Sequence, residues 1–319
     1  MLTADAAAMW DSKIYNPGFI AVKPTNISKR LYQMMRTITS RSTTNDQRAL
    51  NIAIGILKSK GVGRNLTSLN KQRYLGGLDY FENQRHLFAP EDGQKCSQQK
   101  QAQCAVVVHN TWIISKAAKV YRFRENLMWM YDGDDKYYSS STRLYLLYND
   151  HAPALQKSVP EKSDIYQLKT ALTIGYLLNR TVILPRFHSR KVSTLVPLHY
   201  VLHIQTFDDS FSGKYRENSF LRHPKVPLDV KSGQSAEVRR LHVINESLNS
   251  TIYGENTVVS AADVVRQFGH MNDKVLKFGS LHGVTVVLGN SGEDATFKRK
   301  LRHAFHRSSH KQFRRQGQW

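Results

Sequence analysis

The order strand, helix, strand over residues 143–185 constrains the fold more than any other feature of the sequence. An apolar run at 143–148 is followed by a polar loop and then by a stretch from Asp164 to Leu178 with apolar residues at helical spacing. A second apolar run at 181–184 ends at Pro185. Two strands that a single helix connects lie parallel in one sheet. The sequence therefore predicts an α/β fold, with functional groups in the loops that follow the strands.

The first half of the chain predicts further elements in a less regular order. A Pro-Gly turn leads into a short β-rich run that ends at Pro24. Apolar spacing predicts a helix over Asn26–Ile38, with Ser28 as a candidate cap, and a second helix that ends before Gly61. The run Cys104-Ala-Val-Val-Val108 predicts a buried strand that ends at His109.

A polar segment at 136–142, Lys-Tyr-Tyr-Ser-Ser-Ser-Thr, is the predicted boundary between two domains. We therefore expect one domain over residues 1–138 and a second over 139–296. Residues 1–10 contain no helix cap and no preceding strand, so they make a poor start for a domain.

Basic residues outnumber acidic ones, and much of the excess lies at the carboxyl end. The chain has 46 Lys and Arg against 25 Asp and Glu, a net charge of +21. Residues 297–319 hold eight of the basic residues and no acidic ones, so we expect a basic, disordered tail there. Phenylalanines, histidines and Trp319 are interleaved with these charges, which leaves open a second class of function: binding of a polyanion, either nucleic acid or acidic glycan.

The cellular compartment is ambiguous in the sequence. No run approaches the roughly 18–20 apolar residues of a membrane span, and residues 1–5 lack the features of a signal peptide, as in a cytosolic protein. Glycosylation sequons and a pair of nearby cysteines favour the secretory pathway instead. These residues are Asn26, Asn65, Asn179, Asn245 and Asn249 for the sequons, and Cys96 and Cys104 for the cysteines.

Two candidate sites precede residue 50. Asn16-Pro17-Gly18-Phe19 is either an ordinary turn or a place where the backbone comes close to a ligand. Asn45-Asp46-Gln47 is either a helix cap or a set of catalytic carboxylate and amide groups at a helix start.

Two further candidates follow residue 100. His109 at the end of an apolar strand is either a structural histidine or a metal ligand, and Lys116 is a cation that can reach a phosphate. The segment Asp132-Gly133-Asp134-Asp135 has the carboxylates that Mn²⁺ or Mg²⁺ binds, or it forms an acidic turn.

Taken in chain order, four segments resemble the nucleotide-diphospho-sugar transferase family, which includes plant cell-wall xylosyl- and arabinosyltransferases. The family pattern is Asn-x-Gly-Phe, acid-Gln-x-x-Leu-Asn, Gly before Tyr-Phe, and His-x-Asn-Trp followed by Lys. The matching segments are Asn16–Thr25, Asn45–Asn51, Gly76–Phe81 and Val108–Lys116. The resemblance covers about residues 10–130.

This resemblance implies a GT-A fold, a Rossmann-like α/β domain, that transfers a sugar from a nucleotide-sugar donor to a glycan or glycoprotein acceptor. It also implies Mn²⁺ or Mg²⁺ as cofactor, a Golgi location with a type II membrane anchor, and no nucleic-acid partner. Carried over residue by residue, it assigns metal ligation to His109, donor binding to Asn16, Gly18 and Lys116, and catalysis to Asp46 and Gln47.

The chain departs from the family in one respect. The family's Asp-x-Asp metal motif precedes the Asn-x-Gly-Phe segment, and only 15 residues precede Asn16 here. We therefore expect a partial GT-A domain that is truncated at its amino end and has little or no activity as the chain stands.

The second half has a resemblance of its own. Leu172–Phe187 is similar to the passage from helix to strand in fucosyltransferase-like Rossmann domains. The glycine-rich loop of such domains is absent from residues 149–163, so a second α/β Rossmann-like domain with an accessory, structural role is expected.

Overall fold

The protein is described by a computed structural model that divides into two compact units, Met1–Ile113 and Ile114–Trp319. Both units combine helices with parallel strands, which confirms the α/β class. The structure describes residues 3–11, 13–83, 105–148, 160–185, 187–188, 195–196, 198–235, 238–239, 241, 243–245, 250–252 and 257–306. Cys96, Cys104, Asn249 and residues 307–319 lie outside the described residues.

The first unit contains two helices and two small groups of strands. A π-helical turn at Leu78–Asn83 follows the fourth strand. In chain order the elements are β1 (Ala6–Asp11), β2 (Ile14–Val22), α1 (Asn26–Arg41), α2 (Asp46–Ser59), β3 (Leu66–Ser68), β4 (Tyr74–Gly76) and β5 (Val107–His109).

Strand β1 is the centre of the first unit. It pairs antiparallel with β2 and parallel with β3, while β4 pairs parallel with β5. Ala6 and Ala8 pack with apolar residues of α1 and α2, and Ala7 on the opposite face packs with Ala4 and Leu69. A strand that is buried on both faces has a continuous apolar sequence. The expectation that residues 1–10 start the domain poorly is therefore wrong.

The two helices begin at caps that local sequence explains. Thr25 caps α1, and Ser28 completes the capping box three residues later, so Ser28 is the third helical residue rather than the cap. The side chain of Asn45 accepts the N–H of Arg48 and caps α2, as the sequence allowed.

Strand β2 contains a bulge at the Pro-Gly segment. Ala8 pairs with Ile20 and the next residue, Met9, pairs with Asn16, so residues 17–19 lie outside the ladder. Proline has no N–H to donate to a ladder, which favours a bulge at this position. The bulge places Gly18 at the edge of the sheet's pairing, where its backbone is available for a close contact.

The second unit is built on a five-stranded parallel sheet. Its helices are α3 (Lys116–Glu125), α4 (Pro160–Leu177), α5 (Leu198–Val201), α6 (Ile204–Phe211), α7 (Leu228–Lys231), α8 (Ala261–Phe268) and α9 (Gly292–His306). Its strands are β6 (Tyr145–Tyr148), β7 (Thr181–Ile183), β8 (Phe187–His188), β9 (Leu195–Val196), β10 (Tyr215–Arg216), β11 (Val238–Arg239), β12 (Val243–Asn245), β13 (Ser250–Ile252), β14 (Val258–Ser260), β15 (Val275–Phe278) and β16 (Thr285–Val287).

The order of the parallel sheet is β10-β7-β6-β15-β11. Strands β6 and β7 are adjacent and parallel, and α4 connects them, so the predicted strand-helix-strand unit is confirmed. Leu168 and Leu172 of α4 are buried, as their spacing indicated. Within the described residues, no helix has the length and apolar character needed to cross a membrane.

Two predicted boundaries differ from the arrangement of the structure. The contacts divide the chain between Ile113 and Ile114 rather than after residue 138, because α3 packs against α6 of the second unit. Residues 297–306, expected to be disordered, belong to α9. Phe297 and Ala304 are buried on its inner side, which anchors the first half of the basic segment.

Replacing Phe297 with alanine tests this anchoring. Phe297 is stacked on Tyr176 with 4.2 Å between ring centroids, so Phe297→Ala is expected to destabilise the second unit by about 3 kcal/mol. Urea unfolding followed by circular dichroism measures the change. The exposed Arg299→Ala on the same helix is the control, with an expected change within about 0.5 kcal/mol. Equal midpoints for the two variants would contradict the docking of α9.

Candidate functional site

The ends of three strands meet in the first unit. Asp11 ends β1, Gly76 ends β4 and His109 ends β5. Gly76 and His109 are partners in the β4–β5 ladder. The carboxylate of Asp11 approaches Gly76 so closely that a Cβ there would lie 2.9 Å from Oδ1. Polar groups from separate parts of the chain therefore converge at these strand ends.

The carboxylate of Asp11 is buried and held by two side-chain donors. Asp11 is 4% exposed. Its Oδ2 accepts a hydrogen bond from Nδ2 of Asn16 at 2.9 Å, and its Oδ1 accepts one from Nε1 of Trp112 at 2.6 Å. Because a buried carboxylate is stable only with such partners, Asp11 fixes the positions of both side chains.

Asn16 and Gly18 connect Asp11 to His109. Oδ1 of Asn16 accepts the backbone N–H of Gly18 at 2.8 Å. The side-chain amide of Asn16 therefore connects Asp11 to the bulge of β2. A Cβ on Gly18 would lie 1.7 Å from Cε1 of His109. The imidazole therefore packs directly on the backbone of Gly18, and only glycine fits there.

Trp112 adopts a backbone conformation that is unusual for a bulky residue. Its φ is +59°, in the left-handed region. The neighbouring Thr111 accepts the N–H of Gly77 on its Oγ1 at 2.9 Å, which joins this turn to the end of β4. Such backbone conformations occur most often at functional sites, where surrounding contacts hold them.

We call these residues the strand-end cluster: Asp11, Asn16, Gly18, Gly76, His109 and Trp112. The sequence identified Asn16, Gly18 and His109 as candidates and missed Asp11 and Trp112. Asp11 directly follows an apolar run, Ala6 to Trp10. A position directly after an apolar run is the same pattern that identified His109 as a candidate. The alanines concealed the strand, because alanine is depleted in strands.

Asp46 and Gln47 are the first two residues of α2. Asp46 is exposed, and its Oδ1 accepts the N–H of Gln47 at 2.8 Å, as expected in the first turn of a helix. One turn later, Asn51 accepts the N–H of Tyr15 at 2.9 Å and donates to its carbonyl at 2.7 Å. Helix α2 is thus tied to the residue that precedes Asn16. Asn51, which the sequence included in a motif without assigning it a role, is a positioning residue.

Lys116 begins α3 in the second unit, where Ser115 caps the helix and the lysine is exposed. The diphosphate contact that the resemblance assigns to Lys116 stays a prediction.

The aspartate-rich segment forms a turn that Asp132 stabilises. The carboxylate of Asp132 accepts the N–H of Tyr138 at 2.5 Å and that of Ser139 at 3.3 Å. Burial alone would raise the pKa of Asp132, but hydrogen bonds from Ser139 and Tyr138 outweigh it and lower the pKa below its ordinary value. Asp134 and Asp135 are exposed. In the part of the chain that the structure describes, no group of three His, Cys, Asp or Glu side chains is arranged to hold a metal ion.

The second unit has a buried acidic group after β10. Glu217 is fully buried, and its Oε2 accepts the hydroxyl of Tyr137 at 2.7 Å. Burial raises the pKa of Glu217 and holds that of Tyr137 well above its ordinary value. The guanidinium groups of Arg124 and Arg216 lie 3.5 and 3.9 Å from the ring centroid of Tyr137. This network fixes the loop after the strand, and no pattern in the sequence indicated it.

Substitution of Gly18 tests the close contact in the strand-end cluster. Gly18→Ala is expected to displace the His109 ring and destabilise the first unit by about 1–3 kcal/mol, because the added Cβ overlaps the imidazole. The matched control is Gly55→Ala in α2, where a Cβ has no atom within 4 Å. This control is expected to be neutral or stabilising by up to about 1 kcal/mol. Urea unfolding measures both, and equal losses would contradict the contact.

The chain was compared with known proteins at three levels. No protein-family model matches it. No curated protein and no solved structure matches it either.

Proposed function

We propose that the protein is a glycosyltransferase of the nucleotide-diphospho-sugar transferase kind, with the strand-end cluster at the donor site. The observation that carries the proposal is the contact of His109 with Gly18, together with the hydrogen bond that the backbone N–H of Gly18 donates to Oδ1 of Asn16. These three residues come from two motifs of the family pattern that are far apart in the chain. Their convergence at strand ends is the arrangement expected of a ligand site in an α/β fold.

The proposed architecture follows the same resemblance. The first unit would be the acceptor-side part of a GT-A domain, and the second unit a Rossmann-like accessory domain. The parallel sheet of the second unit, and the helix α4 that connects β6 and β7, agree with this interpretation. The acceptor would be a glycan or glycoprotein, and the location the Golgi.

The residues of the cluster suit a divalent metal. His109 offers an imidazole nitrogen and Asp11 a carboxylate, which are donors that Mn²⁺ accepts. Such ions usually take their remaining ligands from phosphates and water. His109 would hold the metal, and the bound ion would neutralise the charge that develops on the leaving diphosphate.

The other side chains would shape the donor pocket. Asp11 holds the Nδ2 group of Asn16, so Oδ1 of Asn16 stays directed at the bulge. Gly18 and Gly76 have no side chain, so the ring of His109 and the carboxylate of Asp11 can lie directly against the backbone there. Asp46 and Gln47, at the start of α2, would face the donor sugar or the acceptor.

Binding of Mn²⁺ in the presence of a nucleoside diphosphate tests the donor site. With the 319-residue chain, free Mn²⁺ can be measured by electron paramagnetic resonance with UDP, with GDP and with neither. Mn²⁺ binding is expected to depend on the nucleotide, and His109→Ala is expected to weaken it by about ten-fold or more, because a ligand is lost.

The control is His270→Ala, which removes an exposed histidine of the second unit and is expected to bind Mn²⁺ as the wild type does. Nucleotide-independent binding, or equal binding by the two histidine variants, would overturn the assignment of His109. The same binding measurement with a panel of UDP- and GDP-sugars in place of the nucleoside diphosphate then identifies the donor.

A second candidate function, polyanion binding, is favoured by the exposed face of α9. Arg299, Lys300, Arg302 and His306 are exposed, whereas Phe297 is buried. The helix thus presents cations on a docked, ordered element, which favours contact with phosphates or sulfates.

Salt-dependent binding tests this candidate. If α9 contacts a DNA duplex, Arg299→Gln combined with Arg302→Gln is expected to reduce the slope of log affinity against log salt by about two. The matched control is Arg30→Gln combined with Arg36→Gln, an equal loss of exposed charge on α1. Removal of residues 307–319 is a separate arm, because a cut at residue 297 would also remove the buried Phe297. Equal slopes for the two double variants would exclude α9 as the contact.

A further inference from the structure

The second unit contains a cavity of about 610 Å³ between α4, α6 and α9. Its walls are mainly apolar, with Leu172 and Tyr176 from α4, Phe211 from α6 and Phe297 from α9. Val182 of β7 closes it from the side of the sheet. Its volume lies within the range of about 300–1,000 Å³ that is typical of small-molecule sites.

The cavity lies at the amino ends of the strands. Asn179 and Arg180, which line it, precede β7, and Lys214 precedes β10. Ligands of open parallel sheets ordinarily bind at the opposite, carboxyl edge. No residue of the strand-end cluster lines the cavity, so a ligand here would be separate from the proposed sugar donor.

Two lysines and one carboxylate define the charge of the rim. Lys214 and Lys300 are exposed lining residues, and Glu293 is the single acidic one. The ammonium group of Lys214 donates to Oδ1 of Asn179 at 3.4 Å, a long hydrogen bond that leaves its charge uncompensated. Among the residues that the structure describes, Lys300 makes no hydrogen bond or ion pair. These exposed groups sum to +1. The buried guanidinium of Arg180, which donates to the backbone carbonyls of Asp273 and Met271, adds a second positive charge, so the described lining carries a net charge of +2.

We propose that this cavity binds an amphiphilic anion, whose acyl or aryl body packs against the aromatic side chains of Tyr176, Phe211 and Phe297 and whose carboxylate or phosphate faces Lys214 and Lys300. The apolar walls disfavour a sugar or a free nucleotide, which would leave hydroxyl groups without partners. The net positive charge of the lining favours an anionic group.

The most obvious competing occupant is the end of the chain itself. Residues 307–319 contain four Lys and Arg and no acidic residue, so the two lysines at the rim repel them. Charge complementarity therefore favours an anionic ligand over this segment.

Calorimetric titration of the 319-residue protein with decanoate, decyl phosphate and decanol tests the proposal. Saturable binding of at least one anionic probe, at least about five-fold tighter than that of decanol, is the expected result. The two anions distinguish a carboxylate ligand from a phosphate ligand. Absence of saturable binding by both anions, or equal affinity for all three probes, overturns the proposal.

Three variants locate the binding. Lys214→Gln combined with Lys300→Gln is expected to weaken binding of the anion about ten-fold and to leave decanol unchanged. Thr296→Trp, which places a ring at the lining of the cavity from an exposed helical position, is expected to reduce binding of every probe. Lys225→Gln, an exposed residue of the second unit outside the lining and outside α9, is the charge control and is expected to bind as the wild type does.

Circular dichroism verifies that each variant is folded, and the lysine variants lie at exposed positions where a loss of folding is not expected. Equal weakening by Lys225→Gln and by the Lys214 and Lys300 double variant would overturn the assignment of the rim. A gain in affinity of more than about ten-fold after removal of residues 307–319 would show that the chain end occupies the cavity, and would also overturn it.

Discussion

The buried carboxylate of Asp11 is the constraint on which the arrangement of the first unit depends. A charge at 4% exposure requires donors, and Asp11 obtains them from residues far apart in the chain, Asn16 and Trp112. Satisfying that one group fixes the bulge of β2 and the turn after β5. The close packing of His109 on Gly18 then follows from the position of these two segments.

The second unit also buries an acidic side chain, but the groups around that side chain differ. Glu217 is also buried at the end of a strand, but it accepts a tyrosine hydroxyl, and arginine side chains cover the ring of that tyrosine. Its raised pKa favours the neutral acid, whereas the partners of Asp11 are suited to a carboxylate. The first arrangement leaves the backbone of Gly76 beside the carboxylate and places the imidazole of His109 on the backbone of Gly18. The second consists of large side chains that fill the space, which is why it is structural.

The sequence predicted those helices and strands whose formation depends on residues that are close together in the chain. The stripe of α2 and the strand-helix-strand order around α4 follow from periodicity and capping. Strand β1 was missed because alanine has little preference for strands, and its burial depends on helices that come later in the chain. Asn16, Gly18 and His109 could be named from motif order. Their mutual contact, and the part of Asp11 in it, depend on tertiary pairing that no local pattern contains.

The bulge in β2 has a second consequence, for association between copies of the chain. In the described part of the first unit, β2 lies at one side of the sheet β2-β1-β3, where a regular strand would offer free backbone groups to a neighbouring molecule. Pro17 has no N–H to offer, and the bulge interrupts the regular alternation of donors and acceptors along this edge. Residues 17–19, which place Gly18 against His109, thus also oppose edge-to-edge aggregation. A change that straightened β2 would expose the protein to self-association as well as disturb its candidate site.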